Sequence, residues 1–282
     1  MIRRFKAWKQ RRRAARQERK LADPNCYPAD LSRDSVETMA TVRQFTMTST
    51  ERLNGLCEAV RYINETDIEG DIVECGVWRG GSMMAIAEML KRSGDTSRNL
   101  HLFDTFEGMS EPTEADVSVD GATAVEQLAS EDKNDGKSVW CVASLQDVQS
   151  HMVQTQYPDD RIHYHVGKVE DTIPEAAPNK IALLRLDTDW YESTAHEMEH
   201  LFSRLSDGGV LIIDDYGHWQ GARRAVDEYF AKHNIGMMLH RLDYTGRIGI
   251  HHARITRDAP GRQASGTNQS ASPEAGESRE AA

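Results

Sequence analysis

The sequence predicts a doubly wound α/β fold: a mostly parallel sheet with helices on both faces, an N-terminal helical cap and one long insertion. Two stretches carry that expectation. In the first, the apolar runs Ile181–Leu186 and Val210–Ile213 read as buried strands, with room for one helix between them and Ser206-Asp-Gly-Gly209 as the turn before the second. In the second, Asp71–Gly76 reads as a strand and its turn, Met83–Lys91 as a helix and Leu100–Asp104 as another strand. Strand, helix, strand, twice over, is the signature of parallel strands joined by right-handed crossovers.

From the N-terminus, Met1–Lys20 holds ten Lys/Arg against one acid, with Phe5 and Trp8 among good helix formers. Residues 1–30 therefore read as a basic arm. It is either a solvated helix or a surface for anionic lipid, where each basic residue contributes about 1 kcal/mol. Thr48-Ser-Thr-Glu51 has capping-box form, and Leu53, Leu56, Cys57, Val60 and Ile63 follow at helical spacing, which predicts an amphipathic helix packed on the body. The stretch 108–139 carries eight Asp/Glu against two Lys and breaks the alternation for about thirty residues. A loop of that length reads as a lid or as a disordered insert. A helix around Leu145–Gln156 and a strand at Arg161–Val166 come next, and after the second unit a helix over Gly221–Lys232 and short segments near Met237–Leu242 and Arg247–His251. The folded domain is expected to span 31–255, and the polar tail 256–282 to be disordered, since it has almost nothing to bury.

The formal charge of −11 combines +9 in Met1–Lys20 with −20 in the rest of the chain. An acidic body without a basic run disfavours nucleic acid as partner. Cys26, Cys57, Cys75 and Cys141 are scattered, with neither a C-x-x-C pair nor zinc-finger spacing, as expected of reduced cytoplasmic thiols. No apolar stretch approaches the roughly 18 residues of a spanning helix, and the basic N-terminus lacks the apolar segment of a signal peptide, so a cytoplasmic location is expected.

The candidate chemistry lies at the strand ends. Asp187 ends one apolar run and Asp214 and Asp215 end the next, so a parallel sheet delivers all three to its carboxyl-end crevice, where open α/β sheets bind ligands. Three crowded carboxylates repel unless a hard cation sits among them, and an oxygen-only set favours Mg²⁺, Ca²⁺ or Mn²⁺. Glu74-Cys-Gly-Val-Trp-Arg-Gly-Gly-Ser82 joins the first strand to the first helix as a cofactor loop. Its spacing is neither the dinucleotide fingerprint nor a P-loop. Glu74 suits a cationic ligand better than a pyrophosphate, Gly76 and Ser82 lie in the loop, and Asp104 is placed to accept hydrogen bonds from ribose hydroxyls. Together these features suggest S-adenosylmethionine, whose ammonium and sulfonium suit an acidic pocket. Gly167 and Ser144 lie near the expected cofactor edges.

Five motifs in order carry a family resemblance: Val73-Glu-Cys-Gly-Val-Trp-Arg-Gly-Gly81, Phe103-Asp-Thr-Phe-Glu-Gly108, Gly167-Lys-Val-Glu-Asp-Thr172, Leu186-Asp-Thr-Asp-Trp-Tyr-Glu-Ser-Thr194 and Ile212-Ile-Asp-Asp-Tyr216. Over roughly Thr48–His251 the chain resembles the macrocin O-methyltransferase family, which methylates sugar hydroxyls of macrolides and aminocoumarins. The resemblance implies a class I, Rossmann-like methyltransferase fold, S-adenosylmethionine as donor, and Mg²⁺ at Asp187, Asp214 and Asp215. It also implies Asp187 as the base, a glycoside or glycan acceptor, and a homo-oligomer; His218, two residues past Tyr216, reads as a rival base or as an ordinary loop histidine. Two other readings stay open: a catechol-like diol as acceptor, and a non-catalytic protein tethering glycan machinery. Asp189 reads as a helix cap or as an acid behind the metal ligands. Trp190, Tyr191, Tyr216 and Trp219 read as core packing or as a wall on which a sugar stacks. The basic arm, the polar tail and the acidic insert depart from the family pattern, which leaves the acceptor open.

Overall fold

The computed structural model describes residues 23–133, 135 and 138–253. Most of the basic arm and the polar tail lie outside them. The helices are α1 (Arg33–Val42), α2 (Thr50–Glu65), α3 (Gly81–Arg92), α4 (Ala124–Ser130), α5 (Leu145–Val153), α6 (Val169–Thr172), α7 (Tyr191–Leu201) and α8 (Gln220–Lys232). The strands are β1 (Asp71–Cys75), β2 (Leu100–Asp104), β3 (Ile162–Val166), β4 (Ile181–Leu186), β5 (Leu205–Ile213), β6 (His240–Arg241) and β7 (Arg247–Ile250).

They form one seven-stranded sheet in the order β3-β2-β1-β4-β5-β7-β6, parallel from β3 to β5, with β7 and β6 antiparallel at one edge. The order reverses between β1 and β4, and a crevice opens there beyond the strand ends. The predicted doubly wound architecture is borne out.

Helices cover both faces because the central strands are apolar on both. Every residue of β4 is buried, and its apolar residues divide between two cores. Ala182 and Leu183 join Leu53, Leu56, Val60 and Ile63 of α2 on one side, and Ile181, Leu184 and Leu186 join Met198 and Leu201 of α7 on the other. Each such aliphatic side chain contributes roughly 1.5–3 kcal/mol by leaving water. A third, small cluster of Ala124, Leu128, Trp190, Trp219 and Ala222 lies beneath the insertion.

Three local expectations are corrected. The cap of α2 is Ser49 rather than Thr48; its hydroxyl accepts from the Arg52 amide and also donates to Asp243, so the cap is tied to the β6–β7 hairpin. Ser206–Gly209 is not a turn ahead of β5. Strand β5 runs through it from Leu205, with a register irregularity against β4 and Gly208 at φ +81°. The insertion 108–139 is folded where it is described. It contains α4 with a complete Thr123/Glu126 capping box and bridges to Trp219.

Candidate active site

A cleft of about 1140 Å³, counted with its open mouth, lies at the carboxyl ends of β1, β2, β4 and β5. At one end are Gly76, Val77, Trp78, Gly81 and Ser82 of the glycine-rich loop, with Asp104 and Gly167. Gly76 has φ +82°, and a Cβ there would sit 2.1 Å from the Asp187 carbonyl oxygen, so only glycine lets the two strand ends approach. Asp104 accepts hydrogen bonds from the Val77 amide at 2.6 Å, Trp78 at 3.0 Å and Phe106 at 2.7 Å. Burial outweighs these amides and raises its pKa. The carboxylate expected to hold ribose thus first ties the loop to β2. Trp78, which the sequence reading passed over, has left-handed backbone at φ 47°, lines the cleft, and keeps a buried Nε1 with no partner among the described residues. Ser144 is the N-cap of α5.

At the other end one carboxylate oxygen from each of Asp187, Asp214 and Asp215 lies within 4.8 Å of the other two. Sequence reasoning placed these three together. It overlooked the two arginines among them. Arg185, a buried residue of β4, ion-pairs with Glu74 and reaches Asp187 and Asp214 at 2.7 Å each. Arg52 of α2 pairs with Asp214 and, at 3.0 Å, with Asp243. Burial alone would lower the Arg185 pKa, but Asp187, Asp214 and Glu74 together raise it well above its ordinary value. The signal was present in the sequence as a single arginine inside the apolar run Ile181–Leu186.

Glu74 is the main correction among the site residues. Its side chain does not line the cleft; it is fully buried and answers the Arg185 guanidinium rather than a cationic ligand. Burial pushes its pKa up to about 7 despite that partner. Asp187 keeps 27% side-chain exposure toward the cleft, whereas Asp214 keeps 4%. Burial first, then Asp214 and Asp215, raise the Asp187 pKa; burial and Asp189 raise that of Asp215. Crowded anions of this kind are what a cation relieves. Among the described residues the buried Asp215 Oδ2 has no hydrogen-bond partner.

Asp189 does not cap α7, whose N-cap is Trp190. It lines the cleft at φ 67°, and burial, with Asp187 and Asp214 nearby, pushes its pKa up to about 7. The cap comes from the insertion, where Asp116 accepts from the Tyr191 amide at 2.8 Å. His218 bonds to the Tyr244 hydroxyl at 2.8 Å and is not among the cleft-lining residues. Trp190 and Trp219 pack edge to face at 5.0 Å, 4% and 6% exposed, so they are core beneath the insertion rather than a stacking wall.

The macrocin O-methyltransferase family model matches residues 4–248 of this chain. The 8-demethyl-8-(2,3-dimethoxy-alpha-L-rhamnosyl)-tetracenomycin-C 4'-O-methyltransferase of Streptomyces olivaceus is 33% identical over 83% of this chain and 84% of its own. The mycinamicin III 3''-O-methyltransferase of Micromonospora griseorubida is 33% identical over 76% of this chain and 81% of its own. The solved structure of the O-methyltransferase NovP superposes with a TM-score of 0.64 at 30% identity, covering 74% of this chain and 82% of that one. With the strand order and the acidic strand ends already described, these matches show that the chain belongs to the macrocin O-methyltransferase family and is an S-adenosylmethionine-dependent O-methyltransferase.

Proposed function

We propose that the protein methylates a hydroxyl of a glycoside or glycan, with Mg²⁺ held by Asp187, Asp214 and Asp215. The observation that carries this reading is the convergence of the three acids, one with an orphaned oxygen, in the same cleft as the glycine-rich loop. An all-carboxylate set suits a hard dication. Both relatives named above carry sugar-directed O-methyltransferase names, which supports a sugar acceptor.

S-adenosylmethionine supplies the methyl group, and the ion supplies Lewis-acid polarisation of the acceptor hydroxyl. The chain supplies position and a proton acceptor. Gly76 and Ser82 shape the cofactor end, Asp104 and Gly167 border it, and Arg185 holds Asp187 and Asp214 in place from below. Asp187 was the base expected from the resemblance. Asp189 is the alternative on geometry: it lines the same cleft, within two residues of Asp187, and has no ion pair with an arginine among the described residues. Asp189→Asn is then expected to lower kcat by about 100-fold while leaving S-adenosylmethionine affinity within a few fold, since general bases contribute roughly 10²–10⁴. Unchanged kcat in that variant returns the role to Asp187.

We read residues 108–139 as a lid, because Met109 and Ser110 line the cleft and the Trp190 indole donates to the Ser110 carbonyl at 3.1 Å. No helix among the described residues is long and apolar enough to cross a membrane, and all four cysteines are free thiols, which fits a reducing cytoplasm. Contact of the basic arm with a membrane surface and assembly into a homo-oligomer belong to the same proposal.

Calorimetry with S-adenosylmethionine and S-adenosylhomocysteine, in Mg²⁺ and again in EDTA, tests the reading. Both nucleosides are expected to bind, with a metal-dependent heat. Failure of both to bind would refute the cofactor site.

A further inference from the structure

We propose that the acceptor carries a phosphate, so that the substrate is a phosphorylated sugar rather than a neutral glycoside, and that Arg241, Arg247 and Arg223 receive that phosphate. The proposal rests on the sugar-methylating reading above and names its substrate class.

In the register of the β6–β7 hairpin, Arg241 lies directly opposite Arg247. Like charges in that position of an antiparallel pair are destabilising. Neither has a carboxylate partner among the described residues. Arg241 donates to the carbonyls of Asp243 at 2.7 Å and Tyr244 at 3.4 Å, and Arg247 to those of Thr245 at 3.2 Å and Gly246 at 2.9 Å. The nearby Asp243 carboxylate is already occupied by Arg52, Ser49 and the amides of Thr245 and Gly246. A third guanidinium, Arg223 of α8, shares the Tyr216 ring with Arg247, at 5.5 and 5.2 Å from its centroid. Its acidic contact among the described residues is Asp227 at 3.5 Å, an exposed residue that also accepts from the Tyr216 hydroxyl. Burial first, and then the charges of Arg241 and Arg223, lower the Arg247 pKa.

The cluster lies outside the cleft lining, beside the end of the strand that leads into two of the acids. Arg247 pairs with Ile213, the residue before Asp214, so Asp215 lies about 7 Å further along the strand direction. The hairpin is bonded to that strand end, because the Gly217 amide donates to Thr245 and the Thr245 hydroxyl to the Asp214 carbonyl. No basic run announces this patch in the sequence; residues far apart in an acidic chain make it only on folding. Guanidiniums around an aromatic ring, one held only by an exposed i,i+4 carboxylate and two by backbone carbonyls, suit a phosphate, which their planar forks bind bidentately. An acceptor with its hydroxyl at the acids and a phosphate on its anomeric oxygen satisfies both ends. The phosphate belongs either to a nucleoside diphosphate sugar or to a lipid-linked one.

The test is calorimetry of the full-length protein in EDTA with inorganic pyrophosphate, thymidine diphosphate and geranyl pyrophosphate, with S-adenosylmethionine as a separate titration. Pyrophosphate is expected to bind the native protein and to lose at least tenfold in affinity in the Arg241→Gln/Arg247→Gln double variant, with a smaller loss in Arg223→Gln. Tighter binding of thymidine diphosphate than of pyrophosphate assigns a nucleotide carrier, and tighter geranyl pyrophosphate a lipid carrier. Absence of pyrophosphate binding, or equal binding by the double variant, overturns the phosphate site and leaves the neutral glycoside. Loss of S-adenosylmethionine binding in the native protein would instead strike the proposed methyl transfer, so the two failures are distinguishable.

Discussion

Asp214→Ala is expected to lower kcat/KM by at least about 100-fold, or roughly 2.7 kcal/mol of transition-state stabilisation, and to cost about 3 kcal/mol in folding stability. The first effect follows from removing one of three convergent acids. The second runs against the argument from three like charges alone, which predicts relief when one is deleted. Asp214 is 4% exposed on its side chain and meets Arg185 at 2.7 Å and Arg52 as well, so its loss strips a partner from two cations at once. Breaking a buried pair from one side costs more than the pair contributes, because the remaining charge stays desolvated. Urea denaturation and steady-state kinetics on the same preparation check both effects. A variant as stable as the native protein would show that the arginines find other acids, and full activity would end the metal mechanism.

Arg185→Met is expected to cost about 3–5 kcal/mol at pH 8, with part of the loss recovered at pH 5. Methionine fills similar volume but leaves Glu74, Asp187 and Asp214 without the guanidinium that all three contact. The pH dependence follows from Glu74, whose folded pKa of about 7 lies above the roughly 4.3 of an unfolded chain. A carboxyl with a raised folded pKa contributes stability that is complete below the unfolded value and is lost as pH rises through about 7. Arg185 pulls that pKa down, so its removal pushes it further up and steepens the loss on the alkaline side. Denaturation midpoints at pH 5 and pH 8 measure the difference. A flat profile in the variant would show that the pocket admits water instead of protonating its acids.

These effects also mark what was legible in the sequence. Asp187, Asp214 and Asp215 were readable as neighbours because parallel strands bring their carboxyl ends to one edge, and that rule needs only the positions of two apolar runs. Gly76, Ser82, Asp104 and Gly167 meet at the cleft for the same reason. Side-chain direction was not readable in this way. Residues within a strand alternate between faces, and Glu74 turned out to lie beneath the cleft because Arg185, one strand over and in register with it, offers a buried charge to neutralise. Arg52 and Asp243 lie 191 residues apart, so no local spacing connects them. Trp190, Trp219 and Asp116 were opaque for a related reason, since the insertion that covers them reads as polar and acidic although it carries its own small core.

The cap that Asp116 provides for α7 has a kinetic meaning. The insertion cannot lift from the cleft as a free flap, because lifting withdraws an acceptor from the first turn of a helix, a loss of typically about 1 kcal/mol, and pulls Ser110 from the Trp190 indole. In the lid reading proposed above, entry and exit of a bulky molecule are coupled to fraying at the start of α7, two residues after Asp189. In that reading the door and the hinge post are fastened to each other, and opening breaks both of these hydrogen bonds together.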